Sequence, residues 1–498
     1  MNTPSFLKAL PVKPKPAVLA TLLLAAIPPA LADEQRLQEL ERRIQELEGR
    51  LAAQLQAASK ASEQGQALSQ ATAGAAAEPT GKAVQQQDPV VAAAPTAKPR
   101  PELKSGEDGG YSIINSENGN ELRFSAMVQL DSRFFVSGAT ATGAALDDGF
   151  LLRRIRPTWS GKFAGIGFRI VPELSGNGTG ANISLLDAFA DVPVGDSGFL
   201  RIGKQKTAVS IDRIRVATAL PLIERGLANE LAPNRDLGLS WNSSHADGKV
   251  SLVAGLFNGA ADGRDVSARD DAGKEIQGRI FAEPFKEDDS IFKGLGFGIS
   301  ATYGSKKNSQ GNSTNVANTL PRYRTAAQEE FFSYVNGVAP SGTHARLFPQ
   351  LAWYYQNLGV VGEYGLSEQE LTRNGIVQSL RNTGYDLTFS WVPTGQSINF
   401  RGVQLGKYPG GGALELAFRV SGLKIDPLAF AGNAANRFAD PDASASRADN
   451  YGIGANWHIN RNMKWSLDFN STRFTGGARN GQDREEEQVA MGRLQLVF

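Results

Sequence analysis

From about residue 106 to the C-terminus, apolar and polar residues alternate in short runs, separated by clusters of Gly, Asn and Asp. This period of two is the pattern of half-buried strands. Leu122, Phe124, Ala126, Val128 and Leu130 alternate with Arg123, Ser125, Met127, Gln129 and Asp131. Tyr451, Ile453, Ala455, Trp457 and Ile459 alternate with Gly452, Gly454, Asn456, His458 and Asn460, and Trp465, Leu467 and Phe469 with Ser466, Asp468 and Asn470. Each strand thus has one apolar and one strongly polar face. Two environments produce such strands. A soluble sandwich turns the apolar face inward, whereas a membrane barrel turns it to lipid and keeps the polar face in a wet lumen.

The chain upstream reads differently. Lys8, Lys13 and Lys15 precede an apolar run from Ala17 to Ile27, and Ala30-Leu31-Ala32 fits a small-x-small cleavage site. The run is about half the ~20 residues of a spanning helix. Residues 1–32 are therefore predicted to be a signal peptide, with Asp33 as the new first residue. Over 33–58, Leu37, Leu40, Ile44, Leu47 and Leu51 step by three and four, the seam of a coiled-coil helix. Residues 59–105 are rich in Ala, Gln and Pro and read as a flexible linker.

Export decides between the two environments, together with the even spread of strands and the last residue. Phe498 shares a strand face with Leu496 and Leu494, as in the terminal strands of bacterial outer-membrane proteins. The predicted fold is all-β, a transmembrane antiparallel barrel over 106–498. Sixteen strands would use roughly 24 residues per strand and connection, and eighteen remain open. Residues 259–275, 305–328 and 432–449 read as polar outer loops.

Composition sharpens the functional reading. The 498 residues include no cysteine, which removes disulfides and thiolate chemistry, and the formal net charge is only +1. No bulk field would attract nucleic acid. Charge is instead concentrated locally, since residues 151–235 hold twelve bases and seven acids, a local +5. Arg154, Arg156 and Thr158 share one strand face, and Ile155, Pro157 and Trp159 the other. With the apolar face in lipid, Arg154 and Arg156 point into the lumen. Arg153 then falls on the wrong face, so it sits at a rim or a bulge turns it inward. After Arg201 the alternation gives way to a long loop carrying Lys204, Lys206, Ser210, Arg213 and Arg215. Basic side chains at a constriction select anions, and guanidinium groups grip oxyanions with two donors at once. The competing reading is that these arginines pair with Asp187, Asp212 and Glu224 and brace the loop.

Catalytic readings fare poorly. His245, His344 and His458 are scattered, with His458 among lumen-facing polar residues. Asp262, Asp265, Asp270 and Asp271 lack the spacing of an EF-hand and read as a solvated outer loop. Gly294, Gly296 and Gly298 lead into a strand, which rules out a dinucleotide fingerprint. No cofactor and no metal site is expected.

The runs Arg153-Arg-Ile-Arg-Pro-Thr, Leu186-Asp-Ala-Phe, Leu200-Arg-Ile-Gly-Lys-Gln-Lys-Thr, Ala217-Thr-Ala-Leu-Pro-Leu-Ile-Glu-Arg225 and Ala232-Pro-Asn-Arg-Asp-Leu-Gly238 resemble the phosphate-selective porin O and P family. Gly255-Leu-Phe-Asn-Gly259, Gly362-Glu-Tyr and the final strand resemble it too. The resemblance implies a sixteen-stranded outer-membrane barrel, assembled as a homotrimer in outer-membrane lipid, that passes phosphate or polyphosphate along basic side chains. It matches the family's constriction arginines to Arg153 and Arg154, which favours the bulge. Its inward loop corresponds to residues 204–235, with Lys204, Lys206, Ser210, Arg213, Arg215 and Arg225, and its constriction carboxylate to Asp187. A general or sugar-type diffusion porin is the alternative. In a third reading the coiled coil and linker tether the barrel across the periplasm.

Overall fold

The computed structural model describes residues 42, 45, 102–105, 109–176, 183–266, 273–306, 320–406 and 411–498. The expected signal peptide lies outside the described residues. So do the coiled coil, apart from Arg42 and Gln45, which are helical, and the linker up to residue 101.

Two short strands, β1 (Glu102–Ser105) and β2 (Tyr111–Asn115), precede the barrel. Glu102–Ser105 thus form a strand within the last residues of the predicted linker. Then come β3 (Asn120–Ser137), β4 (Gly149–Phe163), β5 (Ile166–Glu173), β6 (Ser184–Val194), β7 (Gly198–Lys206), β8 (Arg235–His245), β9 (Val250–Phe257), β10 (Glu275–Ala282) and β11 (Leu295–Ser305). A small hairpin follows, β12 (Arg322–Arg324) with β13 (Glu330–Ser333). The chain continues through β14 (Ala339–Tyr355), β15 (Leu358–Arg373), β16 (Ile376–Trp391), the minimal pair β17 (Ile398–Asn399) and β18 (Gly402–Val403), then β19 (Ala413–Lys424), β20 (Ala445–His458), β21 (Met463–Gly476) and β22 (Glu487–Val497).

Each wall strand pairs antiparallel with its neighbour, and β22 pairs with β3, which closes a barrel of sixteen strands. The Phe498 amide donates to the Ala126 carbonyl at 3.0 Å, so the seam runs to the last residue. β2 then pairs with the first residues of β3, in line with the end of β22. The barrel is thus sixteen-stranded, the first of the two strand counts left open.

The faces follow the alternation. Leu387, Phe389, Trp391, Leu467 and Trp465 are exposed on the outer wall, while Asp386, Thr388, Ser390, Ser466 and Asp468 are buried inside. An apolar exterior around a polar interior inverts the soluble pattern and is the arrangement a barrel needs in lipid. Tight turns such as Ala164-Gly165 lie at the end that holds the C-terminus. The long connections 207–234, 306–338 and 425–444 lie at the other. One exception at the long-loop end is Asn374-Gly375, where both residues take positive φ, as a two-residue type I′ hairpin requires.

The predicted polar outer loops need correction. Tyr323, Phe331, Phe332, Val338, Ala429 and Phe438 from these connections are buried in one apolar cluster. They pack on Leu227 and Leu231 of the 207–234 connection and on lumen-facing Phe348, Leu371, Leu380 and Leu423. The third loop is shifted from its expected bounds to 425–444, because β19 ends at Lys424 and β20 starts at Ala445. Asp262 is likewise not solvated. It is buried against Arg346 at 2.6 Å, His344 at 3.3 Å and the Tyr323 hydroxyl at 3.1 Å.

Candidate functional site: a cation-lined cavity beside an inward loop

After β7 the chain turns into the barrel. Ser210 caps the one-turn helix α1 (Ile211–Ile214), accepting from the Arg213 amide and donating to Glu363 at 2.7 Å. The Ile211 amide donates to the same carboxylate at 2.8 Å. Further on, the wall grips an extended stretch by its backbone. Lys464 donates to the Leu220 carbonyl at 3.0 Å, Asn456 to Pro221 at 2.7 Å, Arg493 to Ile223 at 2.6 Å and Arg419 to Glu224 at 2.7 Å. Asp468 accepts from the Ile223 amide. Donors from β19, β20, β21 and β22 thus satisfy carbonyls that an irregular segment inside a barrel would otherwise leave bare.

The loop leaves a cavity of about 400 Å³. Its wall side is lined by Arg153, Arg154, Arg156, Lys206 and Arg235, and its loop side by Arg213, Glu224, Arg225, Asn229 and Glu230. Arg264, Asp265, Arg322 and Arg324 close it from the outer connections. Ten cationic side chains therefore face three carboxylates.

The bulge places Arg153. On β3, Gln129 pairs with Arg154 and the next residue, Leu130, pairs with Leu152. Arg153 is the extra residue, and the slip turns its side chain inward beside that of Arg154. Both reach Glu224, Arg153 at 2.7 Å and Arg154 at 3.1 Å, and Arg493 joins them at 3.0 Å. Burial pushes the Glu224 carboxyl up. The three guanidinium groups outweigh it and hold the group well below the ordinary carboxylate range. Burial pushes Glu230 the other way, above its usual value, against the opposing pull of Arg213 and Arg324. Burial also lowers Arg225 to about 9, still cationic at neutral pH.

The other predicted residues divide. Lys206, Arg213 and Arg225 line the cavity, where they donate mainly to backbone carbonyls. Arg156 pairs with buried Glu173. Arg201 lies nearer the turn end, bonded to Asp191 at 2.7 Å and stacked on Phe189. Lys204 is half-buried and outside the cavity lining. Ser210 caps α1, and Arg215 lines a separate small cleft with Asp212, Glu363 and Asp386. Asp187 faces Arg235 at 3.1 Å, so the carboxylate at the paired arginines is Glu224 rather than Asp187. The prediction missed Arg235, Arg264, Arg322 and Arg324. Arg235 sat within the local +5 region and could have been found by charge. The other three had no signal beyond being cationic.

The sequence pattern of the phosphate-selective porin O and P family matches residues 128–498. The chain belongs to this family. Among curated proteins no sequence matched. The porin fold is also similar to solved outer-membrane channels. They include DcaP of Acinetobacter baumannii (9% identity, TM-score 0.49, 77% of this chain and 99% of that one). An anion-selective porin from Comamonas acidovorans follows at 12% identity and TM-score 0.46, over 76% and 100%. OmpT of Vibrio cholerae is 10% identical with TM-score 0.45, over 76% and 98%. This porin is an outer-membrane channel.

Proposed function

We propose that this porin conducts anions passively, with phosphate or polyphosphate as the preferred solute. The observation that carries this reading is the charge of the cavity, ten cations against three carboxylates. Lys206, Arg213 and Arg225 donate to carbonyls, which hold their geometry without cancelling their charge. Glu224 is one negative charge shared among three guanidinium groups. A row of such groups offers an oxyanion several equivalent two-point contacts, so it can pass from one to the next. In a planar bilayer under a potassium chloride gradient, the reversal potential should report anion selectivity, and phosphate should block chloride current. A zero or cation-selective potential would reject the reading.

A general diffusion porin is the second reading. The Glu224 pairs favour it, since they brace the loop as well as charge the cavity. Its signature is weak selectivity without phosphate block. We further infer from the family likeness that the porin assembles as a homotrimer, to be checked by the mass of the detergent-solubilised complex. Export with cleavage before Asp33 is to be checked by N-terminal sequencing.

A further inference from the structure

Away from the bore, the outer wall carries one unit three times. On β16 and β15, Arg381 bonds Glu368 at 2.7 Å, and the Ser379 hydroxyl donates to the same carboxylate at 3.0 Å. On β20, Arg447 bonds Asp449 at 2.6 Å, which also accepts from the Tyr385 hydroxyl at 3.3 Å. On β21, Arg473 bonds Glu486 at 3.0 Å, which also accepts from the Ser471 hydroxyl. Each arginine shares the outward face of its strand with an exposed aromatic four residues nearer the turn end, namely Tyr385, Tyr451 and Phe469. The three units therefore stand just above the apolar band, on the side of the long loops, which faces the cell exterior in such barrels.

Stability does not account for them. The side chains of Arg381, Arg447 and Arg473 are 59%, 50% and 70% exposed, and exposed ion pairs contribute little to folding. What the units do is orient. A hydroxyl pins each carboxylate to the wall. The carboxylate takes the Nε side of the guanidinium and leaves Nη1 turned away from it. Three arginines are thereby pre-set at the depth where lipid headgroups lie.

We propose that this belt binds the multiply phosphorylated headgroups of outer-leaflet lipid. Planar guanidinium donors match phosphate oxygens two at a time, and holding them in place beforehand lowers the ordering cost of each contact. The belt lies on the outside of the barrel, so its action is separate from permeation.

The test compares the full-length porin with an R381Q/R447Q/R473Q variant. Both are placed in phosphatidylcholine nanodiscs containing bis-phosphorylated lipid A, and retained lipid is counted by native mass spectrometry. The variant should retain at least about tenfold less, since up to three charge-assisted contacts are lost and each accounts for roughly a factor of ten. An R381K/R447K/R473K variant should fall between the two, and dephosphorylated lipid A should distinguish none of them. Equal retention of bis-phosphorylated lipid by wild type and the Gln variant overturns the proposal. Full competition by millimolar inorganic phosphate overturns the lipid assignment in favour of a free-phosphate site. The chloride reversal potential should be the same for all three proteins, so a failed anion-pore reading would show separately.

Discussion

One loop divides the bore into two unlike halves. On one side Arg225, Asn229 and Glu230 face a wet, cation-lined cavity. On the other, Leu227 and Leu231 pack into a dry cluster with Phe331, Phe332, Phe348, Leu371 and Leu380. The division falls within a single 3-10 turn, Leu227–Leu231, whose polar and apolar residues leave from opposite sides. The contrast teaches that the lumen of this barrel is not uniformly polar. Towards the outer end its wall turns apolar side chains inward, and the loops fold down to cover them. The hydrophobic effect then fixes the loop, while the arginines opposite line the cavity.

The comparison can be broken most forcefully from the dry side. Phe331→Ala should cost about 3–5 kcal/mol, the usual loss for a buried ring. It should appear as a lower unfolding midpoint and as proteolysis of the outer loops, with the sign of the reversal potential unchanged. If selectivity collapses together with stability, the two halves are not independent. From the wet side, R153Q/R154Q should move the reversal potential towards zero. It should also weaken phosphate block about 100-fold, two charge-assisted contacts at roughly 1.5 kcal/mol each. An unchanged block would return these arginines to a bracing role.

Glu224→Gln sharpens the contrast in the opposite direction. It removes the shared counter-charge and leaves a neutral partner for the guanidinium groups, so phosphate block should tighten about tenfold. A looser block would mean that Glu224 chiefly positions the arginines. The smallest effect is in pH. The raised Glu230 carboxyl gains its proton at a higher pH than an ordinary glutamate, whereas the lowered Glu224 carboxyl stays charged. As pH falls from 7 towards 5 the cavity should become more positive and anion selectivity should rise slightly. Glu230→Gln should remove that rise, as read from reversal potentials across the range.

Much of the wall was legible before any coordinates. Leu122 to Leu130 alternate as β3 requires, and Trp465 to Phe469 as β21 requires, because a strand sends successive side chains to opposite faces whatever surrounds it. The Arg153 side chain was half-legible. Its wrong phase signalled either a rim position or a bulge, and the slip opposite Gln129 and Leu130 settles it. Tyr323 and Phe438 were misread as parts of polar loops because their neighbours are polar and no local period shows where a loop folds. Asp262 was misread for the same reason, since its partners Arg346 and His344 lie more than eighty residues away.

The sequence alone thus determined the strands, their inside and outside, and the density of positive charge after residue 150, all of which are local properties of a two-residue repeat and its composition. Tertiary structure alone decided that Arg264, Arg322 and Arg324 meet Arg153 around one cavity, that Glu224 is the carboxylate among them, and that Leu227 and Leu231 on the same loop pack into an apolar cluster. These depend on where long loops come to rest, and that is set by burial and hydrogen bonds between residues far apart in the chain, which no local pattern encodes.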